Sequence, residues 1–202
     1  MKKPFVISVA SPSGGGKTTT VISLKERLNN STMIYWDDYG DEVDPNCDIN
    51  DVVDYNDWNT EPVSVDIERL LKEPYDYIIL DYPFGYLNDG LGKYINMAIF
   101  IDTPLDVALA RRIMRDYTSR SKENDFGLGE VDEISLKAID GELSWYLTVS
   151  RPTYARFSEM HKMKSDLIVD GIKSTENIIE DIIEFMRKNK LYHCIPANKR
   201  MY

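Results

Sequence analysis

Residues 5–20, FVISVASPSGGGKTTT, constrain this chain more than any other stretch. The β-forming residues Phe5, Val6, Ile7 and Val9 run into Gly14, Gly15 and Gly16, and Lys17-Thr18 then open a helical pattern. Strand, glycine turn, Lys-Thr and helix make a phosphate cradle. A phosphate chain is a dense anion, and several inward-pointing backbone N–H groups can hold it only where side chains are absent and φ is unrestricted. The helix adds unpaired N-terminal N–H groups, Lys17 can reach the outer phosphates, and the Thr18 hydroxyl suits Mg²⁺. Ser11 stands where the pattern G-x-x-x-x-G-K-[ST] has its first glycine, a small-for-small exchange expected to be tolerated. An ordinary strand-to-helix loop is the competing reading.

The chain's 202 residues suit one α/β domain, taken as 1–202, with a substantial core and a small lid. No apolar run approaches the roughly 20 residues of a membrane span. The first strand begins right after Met1-Lys2-Lys3-Pro4, so no signal peptide is expected and the compartment is read as cytoplasmic. Cys47 and Cys194 lack metal-ligand spacing and are read as reduced thiols. A net charge of −10 argues against nucleic acid or an anionic membrane as the main partner. It does not argue against a nucleotide, because positive charge gathers at Lys17 and between Arg111 and Lys122. With His161 and His193 the only histidines, imidazole acid–base or metal chemistry is not expected.

Along the chain, helical spacing predicts a helix over 17–29, and a short strand over 33–36 then ends in Asp37-Asp38. Ligands of parallel sheets bind beyond the carboxyl ends of the strands, so Asp37 is a candidate general base toward a hydroxyl; an acidic loop or helix cap is the plainer reading. Residues 40–63 are acidic and aromatic without a period, fit for the mobile wall of a pocket or for a solvated loop with Trp58 in the core. A helix over 63–72, with Ser64 as its cap, precedes the strand Tyr77–Asp81. Asp81 is placed to hold Mg²⁺ through water, or merely to begin the Tyr82-Pro83 turn. A helical link over 86–96 and a strand over 97–102 follow. Thr103 is read as N-cap and Pro104 as first residue of the helix that carries Arg111, Arg112 and Arg115; Arg120 and Lys122 come after. A basic cluster in an acidic protein suggests phosphate contacts, with surface salt bridging as the alternative. Lid-tip composition over 122–129, a helix over 131–163 kinked near Pro152, a strand over 167–170 and an amphipathic helix over 175–189 complete the pattern. No internal repeat is present, and the tail 191–202 fits no element.

Four stretches together resemble the uridine kinase-like branch of the P-loop kinases, with its phosphoribulokinase and pantothenate kinase relatives. They are SPSGGGKTTT, WDDYGD, AIFIDTPLDVALARRIMRD and YLTVSRPTYARFSEMHKMKSDLIVDG, with a weaker likeness in YNDWNTEPVSVD. The resemblance implies a three-layer α/β sandwich around a five-stranded parallel sheet of order 2-3-1-4-5, with a helical lid at about 115–130. It implies an ATP- and Mg²⁺-dependent kinase acting on a hydroxyl of a small metabolite, a nucleoside such as uridine being one candidate. Ser13, Gly14, Gly15, Gly16, Lys17, Thr18 and Thr19 would hold the phosphates, and Thr18 and Asp81 the metal. Asp37 would take the acceptor proton. Arg112 would face the acceptor, with Arg115 and Arg120 reaching the transferred group; Asp66 or Asp57 corresponds loosely to an acidic substrate contact. Departures are plain: a hairpin and histidine-bearing segment of uridine kinases shrinks to Glu73-Pro74-Tyr75, and Asp81-Tyr82-Pro83 replaces the usual Glu-Gly. These leave open a nucleoside monophosphate kinase, suggested by Pro-Ser-Gly, and a nucleotide-binding regulatory module without kinase activity. Self-association is open too.

Overall fold

A computed structural model describes residues 3–45, 54–117 and 133–191. Its centre is a parallel sheet whose strands are β1 (Phe5–Ala10), β2 (Ser31–Tyr35), β3 (Tyr77–Asp81), β4 (Met97–Asp102) and β5 (Leu167–Asp170), in the order β2-β3-β1-β4-β5. That is the expected order. β1 and β3 are buried on both faces because helices cover both, which explains their near-continuous apolar runs. One face packs Ile7, Val9, Ile79, Ile99 and Val169 against α1 (Lys17–Arg27) and α7 (Thr175–Lys188). α7 delivers Ile178, Ile179, Ile182, Ile183 and Met186, all buried and all at helical spacing, as the sequence predicts.

The other face packs Val6, Ile78, Leu80, Ala98 and Phe100 against α2 (Glu61–Leu70), α3 (Asp89–Gly92) and α6 (Arg151–Lys164). Aromatic rings dominate its upper half: Trp36 lies 5.1 Å from Tyr82 and 5.6 Å from Phe84, and Tyr55 5.3 Å from Phe84. Trp58 packs, half-buried, against this group.

Several boundaries differ from expectation. β2 passes directly into 3₁₀ turns over Trp36–Val43, so Asp37 and Asp38 lie on helical backbone. α2 begins at Glu61 with Thr60, not Ser64, at its cap position, because Pro62 suits the first turn. The link after β3 holds a 3₁₀ turn (Gly85–Leu87) and the single turn of α3. α4 (Leu105–Asp116) is preceded by Pro104 at its cap, and Thr103 is spent elsewhere: its buried hydroxyl donates to the Gly15 carbonyl at 2.8 Å. The long late helix is continuous. α5 (Glu133–Trp145) passes through one π turn, Tyr146–Ser150, into α6; Pro152, which brings no N–H, sits just past that wider turn.

Candidate active site

The cradle is built as its residue types require. Gly14 and Gly16 adopt φ of 81° and 100°, left-handed backbone that a side chain disfavours. Gly14 also lies so close to α4 that a Cβ would overlap the Ala108 carbonyl oxygen. At Gly15 a Cβ would stand 2.8 Å from the Cβ of Ser11, so the space that Gly15 leaves empty is what accommodates the serine. Ser11 is buried and its hydroxyl donates to the Pro12 carbonyl at 3.0 Å, so the turn accommodates the serine with its polar atom partnered. Thr103 holds the Gly15 carbonyl from below, making β4 part of the cradle's support.

Register places the acid. Asp81 lies beside Val9 of β1 and Tyr35 of β2, so the ends of three strands meet at one level under the turn. It is 2% exposed and pairs with the Lys17 ammonium. Burial pushes the Lys17 pKa down to about 8, desolvation outweighing the attraction of Asp37, so an arriving anion finds a cation poorly served by water.

A cavity of about 450 Å³ is lined by Ser11 to Thr20, Asp37, Arg111, Arg115, Gly171, Lys173, Thr175 and Ile178. Every cradle residue predicted from sequence is there, as are Asp37 and Arg115. Asp37 is exposed and acts electrostatically on both Lys17 and Arg115. Arg115 is bonded through Nε and Nη2 to Asp116 at 2.6 and 2.9 Å, and that carboxylate raises its pKa ahead of any other cause. Arg112 does not line the cavity; its guanidinium is on Glu142 of α5. Arg120 and Lys122, with the lid from residue 118 onward, lie outside the described residues, as do Cys47 and Cys194.

Asp66 accepts hydrogen bonds from the Tyr39 hydroxyl at 2.8 Å and from Arg69 at 2.8 Å, with the Arg69 bond the main cause of its lowered pKa. Asp57 closes a capping box with Asp54. Neither lines the cradle cavity. A second groove, of about 460 Å³ between α2 and α3, contains none of the predicted catalytic, nucleotide-binding or metal residues, although Trp58 to Glu61, from the stretch read as a pocket wall or a solvated loop, line it.

Of the cavity's far wall the sequence marked only Arg111, within the basic cluster, and not Lys173 or Thr175. Arg111 donates to the Gly171 carbonyl at 3.0 Å, joining α4 to the β5–α7 turn, where Lys173 and Thr175 also face the cavity. The signal was available, because that turn follows the carboxyl end of a parallel strand. Among the described residues no group of three or more His, Cys, Asp or Glu could hold a metal alone. A single buried acid beside a cradle and a hydroxyl suits Mg²⁺, which keeps waters and shares its ligands with phosphates. Thr18 and Asp81 fit that ion.

This sheet order, with a glycine cradle opening α1 and a buried acid at the end of the adjacent strand, defines a P-loop kinase. The family model described as "Phosphoribulokinase / Uridine kinase family" matches residues 51–126. A "Uridine kinase" of Borrelia hermsii is 24% identical over 208 residues, covering 90% of this chain and 94% of the relative. A "Uridine kinase" of Bacillus velezensis is 26% identical over 198 residues, covering 83% and 86%. Among solved structures, TT1252 from Thermus thermophilus shares the fold, with a TM-score of 0.51 and 14% identity over 93% of this chain and 98% of that one. The chain is a P-loop kinase similar to uridine kinases, and its chemistry is phosphoryl transfer to a small metabolite. Among the described residues no helix is long and apolar enough to cross a membrane.

Proposed function

We propose that this chain, acting as one kinase domain, uses ATP and Mg²⁺ to phosphorylate a hydroxyl of a small metabolite, and that nucleosides are the acceptor class to test first, since its relatives carry the name uridine kinase. The observation that carries this reading is a single cavity lined by the cradle, by Lys17, whose ammonium pairs with the buried Asp81 beneath, and by Asp37.

The roles follow from chemistry. Backbone N–H groups of residues 14–19 would bind the phosphate chain at the N-terminus of α1, and Lys17 would neutralise its outer oxygens. Thr18 and Asp81 would hold Mg²⁺, which supplies further charge neutralisation when bound. Asp37, across the cavity, would accept the hydroxyl proton as the oxygen attacks, while Arg115 would meet the charge on the transferred group. Arg111 and the turn after β5 would enclose the far end of the nucleotide. Such a site works mainly by positioning and charge neutralisation.

The test is ADP release from ATP and Mg²⁺ across nucleosides and small alcohols. A kinase of this kind shows acceptor-dependent release. Thermal stabilisation by nucleotide, with no release for any acceptor, would instead mark a nucleotide-binding regulator.

A further inference from the structure

Arg112 and Glu142 form a pair that the scheme above leaves unused. Arg112 starts beside the cradle: its Cβ lies 3.2 Å from where a Cβ on Gly14 would be. Arg111 and Arg115, its neighbours on α4, line the cavity and Arg112 does not. Its Nη2 stands 3.1 Å from Glu142 Oε1 and 3.2 Å from Oε2, and its Nε is 3.8 Å from Asp116. The Glu142 side chain is 10% exposed, and the Tyr117 hydroxyl approaches it at 3.4 Å. From Leu136 to Trp145, Ile139 and Glu142 are the only side chains that are not exposed, so α5 turns a carboxylate inward toward α4.

A carboxylate withdrawn from water needs a cation, and Arg112 supplies it. The same guanidinium is rooted next to a seat for a triphosphate, which carries several negative charges where Glu142 carries one. The two anions compete for one cation.

We propose that Glu142 is a positioning residue acting through Arg112: without nucleotide it draws the guanidinium away from the phosphate seat, and a bound triphosphate takes the guanidinium over. This rests on the nucleotide reading of the site. Breaking the pair subtracts from nucleotide affinity, because a ligand that must shift a protein out of its resting arrangement binds more weakly by that cost. It also loosens α5 from α4, since the carboxylate left behind loses its partner.

The test is calorimetric titration of the full chain with Mg²⁺ and a non-hydrolysable ATP analogue, for wild type, Glu142→Gln, Arg112→Ala and the double variant. Glu142→Gln keeps the shape and removes the competing charge. Its affinity should rise about five-fold or more, at the lower end of typical couplings between sites, and the gain should vanish in the Arg112→Ala background. A merely structural Glu142 would leave affinity unchanged or lower. Hydrogen exchange of wild-type residues 136–145 gives a second measurement free of any variant: their amides should exchange faster with the analogue bound. Wild type that does not bind the analogue would overturn the nucleotide reading and this inference together. Wild type that binds, with no gain in Glu142→Gln, a gain that persists without Arg112, or exchange across α5 unchanged or slower, would overturn the inference alone.

Discussion

Lys17 and Asp37 share a cavity, and the proposed function gives them different work that their variants should separate. Lys17→Ala removes the one cradle ammonium and leaves Asp81 buried without its partner, so both ATP affinity and turnover should fall. Asp37→Asn keeps the cradle intact. ATP binding should persist while turnover drops by at least roughly 10²-fold, the range of a lost general base. Steady-state kinetics with a binding titration check both, and unchanged turnover in Asp37→Asn would remove that residue from the mechanism. Gly14 makes a steric prediction. Gly14→Ala would set a methyl on the Ala108 carbonyl oxygen while holding φ at 81°, so nucleotide-induced thermal stabilisation should be lost even in protein that still folds.

At the scale of elements, the sequence marked helices well where a stripe and a cap coincide. α7 has both: Ser174 accepts from the Asn177 N–H, and five apolar residues follow on one face. Ser174→Ala should therefore cost about 1 kcal/mol in urea denaturation with nucleotide absent, the usual value of a cap. α2 and α4 show the limits of such reading. Ser64 and Thr103 have cap chemistry, yet Thr60 and Pro104 take those positions. Thr103 is diverted because its hydroxyl meets the Gly15 carbonyl, a partner 88 residues away that no local pattern discloses. The π turn at Tyr146–Ser150 was legible only as a break near Pro152, since its extra residue depends on the seating of both flanking helices.

For the whole molecule, His161 reports how the late helix is fastened to the sheet. It is 1% exposed, stacks on Phe100 at 5.0 Å and shares a hydrogen bond with the Pro83 carbonyl, so α6 grips the segment that follows Asp81. Burial pushes its pKa down to about 4, against the opposing effect of that carbonyl. The folded chain thus refuses a proton that the unfolded chain accepts below about 6.5. The stability this represents is complete above pH 6.5 and is lost as pH falls toward 4, by about 3 kcal/mol in all. Denaturation midpoints between pH 7.5 and 5 should fall in wild type, and the fall should be shallower in His161→Gln.

Local sequence by itself determined the cradle, because the demands of a phosphate chain on φ and side-chain size are met within a few consecutive residues. The same holds for the central strands, short apolar runs because both their faces are covered, and for the α7 stripe, whose period of 3.6 follows from backbone geometry. Only tertiary structure decided which distant groups share the cavity: Arg111 and Lys173 join it, while Arg112 turns to Glu142 and Asp66 to Tyr39. The partners that settle these last two cases, Glu142 for Arg112 and Tyr39 for Asp66, lie on other elements brought near by packing against the sheet, so no local pattern discloses them.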